Sequence, residues 1–242
     1  MSFFGSIKKR LSKAAHAATE QIFSNGFQNC QDLLKTNKLS IKLNIDYETL
    51  NARNQQLARQ GRFVNIPFLI RDEKRQKITL LNAAAEAENG ISISTKNGNL
   101  IMYVRPPNNT ENCLGKLMNP TPATLFKIMK QSNSHEFLVQ STFSTIPILK
   151  IERLNNFMGK LITVVGADCA YCFKRMDNTI LGYIRPKLCR SSNTLIIKFD
   201  RTNTTDVQIR AIILGIASLF VITEAYPEIG QMLSKTLKMH HS

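Results

Sequence analysis

Ala211–Thr223 reads AIILGIASLFVIT, thirteen residues without a charge between Arg210 and Glu224. As a helix rising about 1.5 Å per residue, the stretch reaches roughly 20 Å. A bilayer's hydrocarbon core is about 30 Å thick and takes around twenty apolar residues, so runs of ~10–14 are more often buried helices. A helix apolar on every side must be covered on every side, and in a soluble protein a surrounding sheet does that. The expectation is a buried central helix, with a membrane span as the alternative.

The sequence ahead of it supplies such a sheet. Leu39–Ile45 alternates as a strand does, and residues 50–62 (LNARNQQLARQGR) read as a short helical turn or loop. Phe68–Ile70 and Lys77–Leu81 flank the charged turn DEKRQ, while Ile91–Thr95 and Leu100–Val104 flank Lys96-Asn97-Gly98-Asn99. Asn-Gly between alternating runs signals a hairpin because both residues tolerate positive φ. Further strands are expected at 124–129, 136–140, 146–151, 161–165, 170–174, 180–184 and 194–199. Many short strands at near-regular spacing indicate a barrel or sandwich.

An internal repeat strengthens this reading. Residues 93–106, ISTKNGNLIMYVRP, align without a gap on residues 173–186, FKRMDNTILGYIRP, at a constant offset of 80. Asn97-Gly98 falls on Asp177-Asn178, and each copy ends Tyr-apolar-Arg-Pro, the proline closing the strand because it cannot donate to a ladder. The fold class that follows is mainly β: a closed barrel of about twelve strands around the C-terminal helix, with no exposed edge.

Charge narrows the partners. Lys and Arg total 32 against 17 Asp and Glu, a formal net charge of +15 with a pI near 9.8. Such a field favours anionic partners, a phospholipid membrane surface or nucleic acid. RNP, zinc-finger and helix-turn-helix signatures are all missing, which makes nucleic acid the weaker expectation. The five cysteines (Cys30, Cys113, Cys169, Cys172, Cys189) make an odd count and follow no continuous apolar h-region. Reduced thiols in an intracellular protein are expected.

Residues 2–23, SFFGSIKKRLSKAAHAATEQIF, form an amphipathic helical pattern. Phe3, Phe4, Ile7 and Leu11 share the apolar face as membrane-inserting candidates; Lys8, Lys9, Arg10 and Lys13 flank or oppose it as lipid-binding candidates. That is the pattern of an interfacial helix, each basic residue contributing about 1 kcal/mol near an anionic surface. A helix docked on the domain and a mitochondrial presequence are the alternatives.

Few residues suggest covalent chemistry. Cys169-Ala-Tyr-Cys172 lacks the second pair that zinc requires, so buried or acylated thiols are expected there. The four histidines make no catalytic constellation, and Walker A, G-x-S-x-G and Rossmann patterns do not occur. The chain is not expected to be an enzyme. Arg105 and Arg185, at the ends of the repeated strands, and Lys187 and Arg190 beside them are candidates for gripping a head-group phosphate. Solvated strand ends are the competing reading.

The arrangement resembles the tubby C-terminal-like fold and, within it, the phospholipid scramblases. Residues 194–228, TLIIKFDRTNTTDVQIRAIILGIASLFVITEAYPE, carry most of the resemblance. Ile197 and Phe199 fit the family's last strand, Asp206 its acidic turn, and Arg210, Ala211, Gly215 and Ala217 its helix. VVGADCAYCFKRMD (164–177) resembles the family's Cys-rich strand, and FLIRDEKRQKITLLNAAAEA and ISISTKNGNLIMYVRPP its first two hairpins. The organisation implied is a basic helix (1–25), a linker (26–34), the barrel domain (35–228) and a tail (229–242). The resemblance implies energy-independent movement of phospholipids between leaflets, or, as in tubby proteins, phosphoinositide binding without translocation. It also implies peripheral attachment to the cytoplasmic face of a membrane, the plasma membrane ahead of the mitochondrion. Where the family carries an acidic calcium-binding cluster, this chain has Ser191, Ser192 and Asn193. Asp200 and Asp206 are left as weak calcium candidates, so calcium is doubtful and no other cofactor is expected.

Overall fold

The computed structural model describes residues 26–60, 65–75, 78–86, 90–107, 113–121, 123–131, 136–154, 170–186, 194–225, 229–231 and 233. A short 3-10 helix (Gln31–Lys35) leads into strand β1 (Lys38–Leu43), helix α1 (Tyr47–Arg59), β2 (Asn65–Asp72) and β3 (Thr79–Glu86). Then follow β4 (Gly90–Thr95), β5 (Leu100–Arg105), β6 (Gly115–Met118), β7 (Thr124–Lys130), β8 (Glu136–Ser141) and β9 (Pro147–Arg153). β10 (Tyr171–Arg175), β11 (Ile180–Pro186), β12 (Leu195–Phe199) and helix α2 (Val207–Phe220) complete the fold, with a π-helical turn at Val221–Ala225.

The twelve strands close into one antiparallel barrel in sequence order, β1 pairing with β12 from Lys38↔Lys198 to Ile41↔Leu195. Alternation sets the inner wall. In β2, Ile66, Phe68, Ile70 and Asp72 are buried, whereas Asn65, Pro67, Leu69 and Arg71 are exposed or half-buried. Inside lies α2, where every residue from Ile209 to Phe220 is buried. A helix can be covered on all faces by a single sheet only if the sheet encircles it. Gly215 and Gly115 make the close fit: a Cβ at Gly215 would stand 2.8 Å from Leu117 Cδ2, and one at Gly115 2.8 Å from Leu219 Cδ2. The hydroxyl of Ser218, buried in this apolar setting, donates to the Leu214 carbonyl at 2.9 Å.

Because neighbouring strands alternate direction, the barrel has two distinct ends. At the entry end lie the start of α2, the end of β12, the start of β1 and the turns β2–β3, β4–β5, β6–β7, β8–β9 and β10–β11. The far end carries the C-terminus of α2, where Phe220 stacks on Tyr171 with ring centroids 4.2 Å apart.

The repeat is a structural identity. In β4–β5, Gly98 donates to Thr95 O at 3.0 Å and Thr95 to Asn99 O at 2.9 Å; in β10–β11, Asn178 donates to Arg175 O at 3.0 Å and Arg175 to Thr179 O at 2.9 Å. The register shifts at Ile93/Ser94 and at Phe173/Lys174, again 80 residues apart. Gly98 (φ 85) and Asn178 (φ 70) both take the left-handed conformation that such a turn demands.

Several expectations change. Residues 47–59 form a full helix, not a turn, started by Asp46, whose carboxylate accepts the Thr49 amide at 2.8 Å. Strand β6, four residues long, was not anticipated; the strand expected at 161–165 lies outside the described residues. The 26–34 stretch is not a linker, since Phe27, Cys30 and Leu33 are buried in the core. Ile229 and Leu233, read as tail, are buried with them.

Candidate anion-binding cleft at the barrel mouth

Arg210 organises the entry end. Only 4% exposed, it donates from Nε to Thr204 O (2.7 Å), from Nη1 to Leu33 O (2.7 Å) and Thr36 O (2.8 Å), and from Nη2 to Asn37 Oδ1 (2.7 Å). All four of these acceptors are neutral, and burial pushes the guanidinium below its ordinary pKa. Beside it, Gln208 pairs with the backbone of Phe27, accepting its amide at 2.8 Å and donating to its carbonyl at 2.9 Å. These contacts weld the segment preceding β1 to the start of α2.

The welded segment forms one wall of a cleft of about 240 Å³, lined by Lys35, Thr36, Asn37, Asp72, Lys74 and Arg75. The β2–β3 turn forms the other. Alternation turns Asp72 inward at the end of β2, where it is buried. Its carboxylate accepts the amides of Lys74 (2.9 Å) and Arg75 (3.4 Å) and the Arg75 Nε (3.1 Å). Burial alone would raise the Asp72 pKa; hydrogen bonds from Arg75, the two amides and Thr36 outweigh it and hold the carboxyl below its ordinary range. Asp72 is thereby an acceptor satisfied by its own turn; Lys35, Lys74 and Arg75 all line the cleft, Arg75 paired with Asp72 at 3.1 Å and Lys35 with Asp32 at 2.5 Å. Three cations on one cleft, only partly balanced by Asp32 and Asp72, suit a phosphate-bearing group.

Lys35, Lys74 and Arg75 were not among the sequence candidates. DEKRQ had the mark of a charged turn, but nothing in it points to Lys35, which the barrel brings alongside from before β1.

The candidates themselves are distributed differently. Arg105 and Arg185 sit at the far end, on β5 and β11, which lie six strands apart in a ring of twelve. They therefore occupy opposite sides of the rim and do not grip one phosphate together. Lys187 and Arg190 lie outside the described residues, as do Phe3, Phe4, Ile7, Lys8, Lys9, Arg10, Leu11 and Lys13. Asp200 accepts the Thr202 and Asn203 amides at 2.9 and 2.8 Å, and Asp206 caps α2 through the Gln208 amide at 2.7 Å. Both carboxylates serve turns of their own backbone.

Burial pushes the Cys30 thiol up to about 11, with the charge of Asp206 adding to it against an opposing backbone hydrogen bond. Cys172, buried, is raised chiefly by burial. Neither has the lowered pKa of a reactive thiol. Cys169 and Cys189 lie outside the described residues. Among the described residues no three His, Cys, Asp or Glu side chains cluster as a metal site, and no helix is long and apolar enough to cross a membrane.

No family model matches the sequence, and no curated relative does. Among solved structures the chain is similar to an X-ray structure of a protein from Arabidopsis thaliana at 12% identity, over 61% of this chain and 89% of that one, with a TM-score of 0.30. That degree of likeness carries no functional argument.

Proposed function

We propose that this chain is a peripheral membrane protein that binds anionic phospholipid surfaces without moving lipids across them. The observation that carries the reading is the cleft at the barrel mouth, which Lys35, Lys74 and Arg75 line. The +15 charge of the whole chain adds long-range attraction to the same class of surface.

Scrambling, the activity that the resemblance to scramblases implies, asks more of α2. Its exit into a bilayer would leave the barrel without its core and open the inner wall to water, Ile66, Phe68, Ile70, Ile91, Ile93 and Leu117 among it, all now buried. At about 1.5–3 kcal/mol per large apolar side chain, that forfeits on the order of 10 kcal/mol. Such a loss equals the whole stability of a typical domain, about 5–15 kcal/mol. A helix so costly to release supports binding over translocation.

Flotation with phosphatidylcholine vesicles, with and without phosphatidylserine, tests the reading on the full chain. Binding is expected only to the anionic vesicles and is expected to weaken in Lys74→Glu/Arg75→Glu. In a dithionite leaflet assay, reconstituted protein is expected to leave the inner-leaflet probe protected. Failure to float on anionic vesicles defeats the proposal. Bleaching of the inner probe restores scrambling.

A further inference from the structure

Among the described residues, the large apolar side chains left open to solvent are Leu34, Phe143, Ile146, Met176 and Ile180, between 36% and 64% exposed. Scattered singly over a surface, such residues need no explanation. Here all five lie at the entry end. Phe143 and Ile146 stand in the β8–β9 turn, Met176 in the β10–β11 turn and Ile180 at the start of β11. Since β9 and β10 are hydrogen-bonded neighbours, the two turns are adjacent on the rim. Leu34 belongs to the 3-10 helix that carries Lys35 to the cleft.

Several backbone groups of these turns are bonded from within. Phe143 and Ile146 amides donate to Ser141 Oγ (3.2 Å) and Ser144 Oγ (3.1 Å), and the Gln140 side chain donates to the carbonyls of Ser144 (3.3 Å) and Thr145 (3.0 Å). In the β10–β11 turn, Asp177 accepts the Thr179 amide at 2.9 Å. Irregular backbone enters a low-dielectric interface at small cost only when its polar groups are paired in this way.

Charge favours a lipid occupant. Lys74, Arg75, Lys96, Arg175 and Arg201 are exposed around this end. Among the described carboxylates at this end only Asp177 is exposed; Asp32, Glu73, Asp200 and Asp206 are half-buried and Asp72 is buried, so the cations dominate the solvent-facing rim. The described chain also begins at this end, Phe27 being bonded to Gln208, so the basic sequence of residues 1–25 is joined to it covalently.

We infer that the entry end of the barrel docks on an anionic bilayer, with Phe143, Ile146 and Met176 inserted among the headgroups and Lys74, Arg75 and Arg175 against the phosphates. This rests on the proposed lipid binding and adds its orientation.

The chain contains no tryptophan, so one introduced indole reports alone. Full-length Phe143→Trp and Pro107→Trp, the latter exposed at the far end, are mixed with phosphatidylcholine/phosphatidylserine vesicles containing brominated lipid. The indole at position 143 is expected to shift to the blue and be quenched, and that at position 107 to do neither. Phe143→Ser/Ile146→Ser/Met176→Ser is expected to bind these vesicles about tenfold or more weakly, with its thermal melt establishing that it folds. Should it not fold, the indole at position 143 decides. Vesicle binding with that indole silent overturns the docking face, leaves the lipid-binding reading standing and turns the tips into a protein-docking surface. Absence of any vesicle binding overturns both.

Discussion

The guanidinium carbon of Arg210 lies 4.9 Å from the centroid of the Phe199 ring. The last strand and the helix that follows it are thus joined by a cation–π contact inside the mouth of the barrel. The same guanidinium holds Leu33, Thr36, Asn37 and Thr204, drawing the stretch before β1 and the β12–α2 loop onto one charge. Arginine suits the position because its planar fork reaches several acceptors at once; a lysine ammonium is a point charge with shorter reach.

Arg210→Ala leaves three buried carbonyls without their donor. The expected loss of stability is about 3–5 kcal/mol, set by the unpaired acceptors more than by the lost contact with Phe199. Arg210→Lys is expected to recover only part of it. Urea unfolding of the three proteins checks this, and a wild-type midpoint for Arg210→Ala would show that Arg210 does not hold the mouth together. Because Lys35 and Thr36 line the cleft, the weakened variants are also expected to lose affinity for anionic vesicles.

The repeat supplies a paired test on the two turns. Asn178 holds φ 70 where its counterpart Gly98 holds φ 85. The left-handed conformation costs an L residue roughly 1–2 kcal/mol, with asparagine among the most tolerant. Gly98→Ala is therefore expected to destabilise by about 1 kcal/mol, and Asn178→Gly to be neutral or stabilising. Thermal melts measure both, and a stabilising Gly98→Ala would contradict the equivalence of the turns.

These turns were legible because they are local. An Asn-Gly or Asp-Asn pair between alternating residues specifies its own geometry, and the 80-residue offset repeated it. The fate of Ala211–Thr223 was legible for a different reason, its length and lack of charged residues, which together demand enclosure. Strand β6 escaped notice because Gly-Lys-Leu-Met is too short for a periodicity of two to show; its pairing with β5 and β7 makes it a strand. Phe27, Cys30 and Leu33 looked like polar linker because three apolar residues spaced three apart are diluted by Gln28, Asn29, Gln31 and Asp32. The cleft was hidden for a topological reason, since Lys35 and Lys74 meet only once β1 and β2 pair. Arg210 was read as a helix-start residue, and backbone carbonyls, its main partners, have no sequence signature.

Asp72 predicts a specific acid sensitivity. Its carboxyl is held below its ordinary value of 3.8 in the folded chain. A group depressed on folding stabilises at pH values above its unfolded pKa and loses that contribution as pH falls through the folded pKa. The window for Asp72 therefore opens below about pH 3.8. Asp72→Asn is expected to be less stable than wild type at pH 7, with the gap closing as the pH is lowered through that window. Parallel urea titrations at several pH values give the difference directly. A gap independent of pH would mean that the Asp72 turn stabilises through hydrogen bonds alone.

The enclosure of α2 predicts how its amides exchange with solvent. Gly215 lets the helix approach β5 and β6 so closely that a Cβ there would stand 2.8 Å from Leu117 Cδ2 and 3.0 Å from Met102 Sδ. With Arg210 fixed at one end and Phe220 stacked on Tyr171 at the other, the helix has no partial route out of the barrel. Its amides from Ile212 to Leu219 are expected to exchange only through global unfolding, at the slowest rates in the chain. Binding to anionic vesicles is expected to leave those rates unchanged, while protecting the β8–β9 and β10–β11 turns. Hydrogen–deuterium exchange read by mass spectrometry separates the two regions. Faster exchange in α2 on vesicles would mean that the barrel surrenders its core helix to the bilayer, and the chain would then have the means to carry lipids across it.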